Sequence, residues 1–230
     1  MPVYRLAKPL VFPSPSLAEP DGLLAVGGDL SPQRLLLAYR RGIFPWYSKN
    51  TPILWWSPDP RMVLVPQELT VSRSLVRVLK KSLFRVTFDC AFRQVVESCA
   101  AVPRNYGEGT WIVPEMMDAY EELHRMGYAH SIEAWHKGNL VGGLYGVALG
   151  RAFFGESMFT LMADASKVAL VHLVRLLTRW GFDFIDCQVV TEHLRRLGAR
   201  EISRQAFLEQ LEKSVLHKSV RGSWAFVATD

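Results

Sequence analysis

Three cysteines in 230 residues, with no CxxC pair, are too few and too scattered for a disulfide scaffold; Cys90, Cys99 and Cys187 fit a reducing compartment. No apolar run approaches the roughly 18 residues a membrane helix needs. The first residues lack the apolar core of an export signal, so a cytoplasmic chain without a membrane partner is expected. Gly27-Gly28-Asp29 has neither GxGxxG nor P-loop spacing, which leaves a phosphate cradle unsupported. There is no GxSxG elbow, and no histidine or cysteine stands at metal-ligand spacing. No metal and no cofactor are therefore expected. Acidic residues are missing altogether between Leu69 and Phe88.

What is present is ample apolar material. Hydrophobic residues make up 49% and charged residues 21%, enough for one large domain or one domain and a small companion. A net charge of +5 permits a polyanionic partner without demanding one. Most of the 13 prolines precede residue 67, and Pro9, Pro13, Pro15 and Pro20 forbid a long helix before Asp21. Ser31 and Pro32 open a helix that Gly42 can close. The aromatic–proline runs 43–47 and 53–61 read as a rigid, aromatic-lined loop module. After Pro66 regular elements are expected: helices at 71–84, 91–101, 114–126, 166–180, 192–197 and 205–213, and strands at 85–88, 129–135, 140–149, 151–159 and 182–190. Antiparallel strands followed by a strand–helix–strand crossover predict an α/β (α+β) domain with a mixed sheet. The expected division is 1–66 and 67–230.

Three patterns carry chemistry. Arg73, Arg77, Lys80 and Lys81 fall at i, i+4, i+7 and i+8 on one helical face, a one-sign surface suited to a phosphate backbone or to plain solvent. Glu156 interrupts the apolar strand 153–159, as a salt-bridged core residue or as an acid lining a pocket. Asp186 and Gln188 alternate onto one face of strand 182–190, about 6.5 Å apart, where they could bracket one reacting group. Cys187 falls on the opposite face and is read as core.

The runs 22–30, Arg41-Gly42-Ile43-Phe44-Pro45-Trp46, Trp55-Trp56-Ser57-Pro58-Asp59-Pro60-Arg61, Thr110-Trp111-Ile112, His130-Ser131-Ile132-Glu133, 141–146, 154–159, Ala165-Ser166-Lys167 and Ile185-Asp186-Cys187-Gln188 together resemble bacterial leucyl/phenylalanyl-tRNA–protein transferases. The resemblance spans about Phe12 to Phe207 and is weakest over 101–109 and after Phe207. It implies a small N-terminal domain and a GNAT-like acyltransferase domain. It also implies transfer of Leu or Phe from aminoacyl-tRNA to the N-terminal Arg or Lys of a protein or peptide, a degradation signal, without metal, ATP or acetyl-CoA.

Such chemistry starts from an ester already activated by the tRNA, and an α-amino group of ordinary pKa about 7.7–8.0 needs no strong base. The site has to position the amine and take its proton. The resemblance assigns Asp186 and Gln188 to this work as a relay, with Glu156 recognising a cationic acceptor group. Phe153, Met158, Leu170, Leu177 and Ile185 are candidates for the amino-acid pocket. Trp46, Trp111 and Tyr120 are candidates to stack on the terminal adenosine. Arg73, Arg77, Lys80 and Lys81 are candidates for the tRNA backbone. The rival readings are an acyl-CoA N-acyltransferase, which 160–166 disfavours by lacking glycine, and an RNA-binding module without catalysis.

Overall fold

The computed structural model describes residues 3–102 and 112–226. Proline excludes helix from the start of the chain but tolerates extended backbone. The segment expected to be an aromatic-lined loop instead forms a small sheet. Its elements are β1 (Tyr4–Leu6), β2 (Leu23–Gly27), helix α1 (Pro32–Arg40), β3 (Phe44–Pro45) and β4 (Leu54–Trp56), with strand order β1-β2-β4-β3. Trp55 is fully buried in it and donates its indole N–H to the Gly27 carbonyl at 2.8 Å. Ser31 caps α1 through the Arg34 N–H, and Pro32 occupies its first turn. The buried Arg34 guanidinium reaches back to Asp29 and to the carbonyls of Ala7, Lys8 and Pro9, tying down a segment that has little core of its own. Gly42 follows α1 at φ 70°, where a Cβ would lie 2.7 Å from Leu208 and 2.8 Å from Phe207. Only glycine lets this corner sit against the C-terminal helix.

From residue 61 onward a larger sheet forms. Its elements are β5 (Arg61–Leu64), α2 (Arg73–Lys80), β6 (Arg85–Phe88), α3 (Phe92–Ala101), α4 (Pro114–Arg125), β7 (Ala129–His136), β8 (Asn139–Leu149), β9 (Ala152–Thr160), α5 (Ala165–Arg179), β10 (Phe184–Gln188), α6 (Glu192–Arg195), β11 (Arg200–Ile202) and α7 (Arg204–Val215). The strand order is β11-β5-β10-β9-β8-β7-β6, antiparallel except for the β9–β10 pair, which α5 joins by a crossover. This is the mixed α/β architecture expected. β5 lies before residue 66, yet it pairs with both β10 and β11 and belongs to this sheet. α2 is shorter than the expected 71–84: Ser72 caps its start, Lys81 ends it and Ser82 turns at φ 46°. One face of the sheet packs on α1, α3, α4 and α7, and the other on α5 with α2 outside it. Among the described residues no helix is long and apolar enough to cross a membrane.

Candidate active site

The two parallel strands β9 and β10 stay paired for only three residues, ending at Asp186↔Phe154. Beyond that point β10 turns away. Gln188 adopts φ 63°, and the β10–β5 register slips between Asp186 and Gln188. On the other side of β9 the register with β8 slips between Tyr145 and Gly146. A Cβ at Gly146 would lie 2.2 Å from the Phe154 carbonyl, so glycine is what allows the close approach. The parted strands open a cavity of about 560 Å³. Residues just past the last pair, Gly155 to Met158 on β9 and Cys187 to Val189 on β10, all line it.

Four of the five expected pocket residues are in the wall: Phe153, Met158, Leu170 and Ile185, joined by Leu144, Leu173 and Leu194. Leu177 is not; it lies a turn or more beyond Leu173 on α5 and is fully buried in the core. Cys187, expected in the core, packs against the core cluster that holds Ile185 and Leu170, but it is only half-buried because the cavity opens on that side and it lines the wall. Burial, with Asp186 alongside, pushes its thiol well above the usual range, so it stays a neutral wall residue.

Glu156 and Gln188 both face the cavity. The Gln188 amide nitrogen donates to Glu156 Oε1 at 2.8 Å, and the Tyr39 hydroxyl donates to the same oxygen at 2.8 Å. The Tyr120 hydroxyl donates to Oε2 at 2.7 Å and touches the Tyr39 hydroxyl. A carboxylate offers about four acceptor positions, so one, on Oε2, is left. The three donors favour the ionised form, but burial outweighs them and nearby Asp186 adds to it, pushing Glu156 up to about 7. Tyr39 was not anticipated. Its signal in sequence, a tyrosine on the inner face of α1, does not distinguish it from core. Tyr120 is not a stacking surface: it is fully buried behind Glu156. Burial beside that carboxylate raises both phenols well above their ordinary range, so both remain donors.

Asp186 departs most from expectation. It is fully buried and is not part of the cavity wall. Both of its oxygens are held by Arg61, at 2.8 and 2.6 Å, and Oδ1 also accepts the Gln188 backbone N–H at 2.9 Å. Asp186 and Gln188 therefore do not face the cavity together; only Gln188 reaches it. Trp46 is 43% exposed at the cavity and tilts against Trp56 at 6.0 Å, where a planar ring has room to stack. Trp111 lies outside the described residues. Arg73, Arg77, Lys80 and Lys81 are exposed along α2, and among the described residues none of them is in an ion pair. α2 packs on α5, the helix whose Leu170 and Leu173 line the cavity.

The fold and this cleft define a mixed α/β protein with a largely apolar pocket that holds a carboxyl–amide pair. The comparisons with known proteins sharpen that class. The leucyl/phenylalanyl-tRNA protein transferase profile matches residues 63–212, and the profile of that family's N-terminal domain matches 28–59. A leucyl/phenylalanyl-tRNA–protein transferase of Syntrophobacter fumaroxidans is 65% identical over 97% of this chain and 96% of its own. One from Anaeromyxobacter sp. strain Fw109-5 is 60% identical over 100% of this chain and 98% of its own. The chain belongs to the leucyl/phenylalanyl-tRNA–protein transferase family and is an aminoacyltransferase. Among solved structures, a GCN5-related N-acetyltransferase from Kribbella flavida is similar at TM-score 0.35 and 11% identity, over 75% of this chain and 61% of that one. An aminoglycoside acetyltransferase from a soil metagenome reaches TM-score 0.37 at 14% identity, over 65% of this chain and 98% of that one. These scores carry no argument about function.

Proposed function

We propose that this enzyme transfers Leu or Phe from aminoacyl-tRNA to the α-amino group of a protein or peptide beginning with Arg or Lys, in the cytoplasm. The observation that carries the reading is Glu156: a buried carboxyl pushed up to about 7, with one open acceptor position, beside Gln188 in the wall of a largely apolar cavity. A base at that level nearly matches an α-ammonium of about 7.7–8.0, so the proton passes at little cost. The amine nitrogen attacks the ester carbonyl carbon while Glu156 takes its proton. The bond from that carbon to the ribose oxygen breaks, and the oxygen takes the proton back. Ester and amine become amide and alcohol, with no other reactant. The Gln188 amide, turned by its bond to Glu156, presents its oxygen to the incoming amine.

The donor side chain rests among Phe153, Met158, Leu170 and Ile185. Met158, unbranched and polarizable, adapts to Leu or Phe. Trp46 supports the terminal adenosine, and the α2 cations take backbone phosphates. Glu156 and Glu192 are the two carboxylates in the wall, which favours a cationic acceptor. The small sheet and α1 are read as the N-terminal unit, its boundary moved from the expected 66 to between β4 and β5 because β5 pairs within the larger sheet; the N-terminal profile ends at 59 and the other begins at 63. An acyl-CoA donor is disfavoured by Asp164. It precedes α5 at φ 67° and binds Lys167 at 2.8 Å, placing a carboxylate where a pyrophosphate would need bare amides. The test is incubation with radiolabelled Leu-tRNA and an Arg-initiated peptide. Label in the peptide is expected; label retained on tRNA despite tight binding would reduce the protein to an RNA-binding module.

A further inference from the structure

The Arg61 guanidinium is 1% exposed, and the transfer chemistry above makes no use of it. It stands where three parts of the molecule meet. β5 carries it, the Phe44 ring of β3 lies 4.8 Å away, and the Phe207 ring of α7 lies 4.5 Å away. Two of its nitrogens grip both oxygens of Asp186, and Asp186 Oδ1 holds the Gln188 backbone N–H. That N–H belongs to a residue at φ 63°, a conformation a non-glycine residue keeps only where its surroundings impose it. The bond from Asp186 is that constraint, and Arg61 fixes Asp186. The Gln188 side chain leaves the kink toward the cavity and Glu156.

The Asp186 carboxylate has no route to the cavity, being fully buried and absent from the wall. Removing either partner of the pair alone leaves the other an unpaired charge in the core between the Phe44 and Phe207 rings.

We propose that Arg61 is a positioning residue for the transfer reaction: acting through Asp186 it sets the backbone kink that aims the Gln188 amide, and Asp186 itself does not meet the amine. This rests on the reading of Gln188 and Glu156 as the groups that meet the amine.

The experiment exploits the fact that the pair can be neutralised together. Asp186→Asn keeps an Oδ1 for the Gln188 N–H but leaves Arg61 an unpaired buried cation. Arg61→Gln leaves Asp186 an unpaired buried anion. The double variant Arg61→Gln/Asp186→Asn removes both charges, keeps the Oδ1 and allows an amide–amide bond. Transfer from Leu-tRNA to an Arg-initiated peptide is measured at saturation, with melting temperatures alongside. Each single variant is expected to lose about 100-fold in kcat with KM little changed, as a misaimed group does. The double variant is expected to return to within about tenfold of wild type, with its melting temperature restored. A double variant that folds as wild type yet is no faster than Asp186→Asn would overturn the proposal, because the carboxylate itself would then be required.

Arg61→Lys keeps the charge but cannot hold both oxygens, so it reads out geometry should the neutral pair fold poorly. Its expected signature is about a tenfold loss of kcat, with KM and the midpoint of the pH profile unchanged. Wild-type kcat in that variant would likewise overturn the proposal. Absence of transfer by the wild-type enzyme is a separate result: it would sink the reaction, and with it the step Arg61 serves.

Discussion

Glu156 on β9 and Glu133 on β7 are buried in the same sheet, and both accept hydrogen bonds from side-chain hydroxyls. Burial pushes both above the ordinary carboxyl range. What differs is the strand pairing around them. Glu133 is flanked on both sides, by Thr87 of β6 and Gly143 of β8, and its oxygens are taken by Thr87, Ser131 and the Ala91 N–H. Next to it Asp89 holds His130 and the Trp224 N–H, and the Trp224 ring stacks on His130 at 3.6 Å. Glu156, which also has three donors, stands two residues past the last β9–β10 pair with a cavity on one side. A buried carboxyl is thus enclosed where the ladder stays closed and open to a cavity where the ladder parts.

The sharpest way to break this contrast is the same substitution at both positions. Glu156→Gln should lower kcat/KM by about 10²–10⁴-fold, the usual worth of a positioned acid–base group. The wild-type profile should rise with pH through about 7, where Glu156 ionises, and the variant should lack that limb. Stability should move the other way. A carboxyl whose folded value is raised from 4.5 to about 7 penalises the fold not at all below 4.5 and fully above 7. Wild-type stability therefore falls across that window by a few kcal/mol at most, and Glu156→Gln should not show the fall in denaturant titrations run at several pH values. A wild-type pH profile retained in Glu156→Gln would remove it from the mechanism.

Glu133→Gln should give the opposite pattern: about 1–3 kcal/mol lost in urea denaturation, from donors left unmatched, and kcat within about twofold of wild type. Catalytic loss comparable to that at Glu156 would erase the distinction between the two regions. A smaller effect is expected at the pocket. Leu and Phe branch beyond Cβ, whereas Ile and Val branch beside Cα, against Met158 and Leu170. A misplaced methyl is worth about 1–3 kcal/mol, so transfer of Ile and Val should be roughly tenfold to a few-hundredfold slower. Equal rates from the four charged tRNAs would refute the pocket as drawn. The smallest effect concerns the surface. Arg77→Ala/Lys81→Ala should weaken Leu-tRNA and flatten its salt dependence by just under one unit per contact, while an aminoacyl-adenosine without the stem is unaffected. Equal losses with both substrates would make α2 a solvated face and nothing more.

The region most opaque to sequence reading was the first 66 residues. Its strands are two to five residues long and lie between prolines, too short to show a period, and what holds them is Arg34 and Trp55 reaching distant carbonyls. The long elements from β6 to α5 were legible because period and caps agree: the Arg85–Phe88 strand and the start of the helix at Pro114 fall where expected. In the site, Glu156 and Gln188 were legible as polar residues in apolar strands, and so were Met158, Leu170, Phe153 and Ile185. Tyr39, Tyr120 behind Glu156, and Arg61 were not, since each comes from an element over 30 residues away in the chain from its partner.

The sequence by itself determined the alternation of strands and helices, much of the apolar wall of the cleft and two of its polar groups, Glu156 and Gln188, because side-chain period and burial preference are local properties. Only the tertiary structure decided which carboxyl faces the cavity. A strict two-residue period puts Asp186 beside Gln188, but the left-handed turn at Gln188 breaks it, and Arg61 from a distant strand claims the aspartate. Backbone kinks and charge pairs across the sheet are settled by what packs against them, and that information is spread over the whole chain.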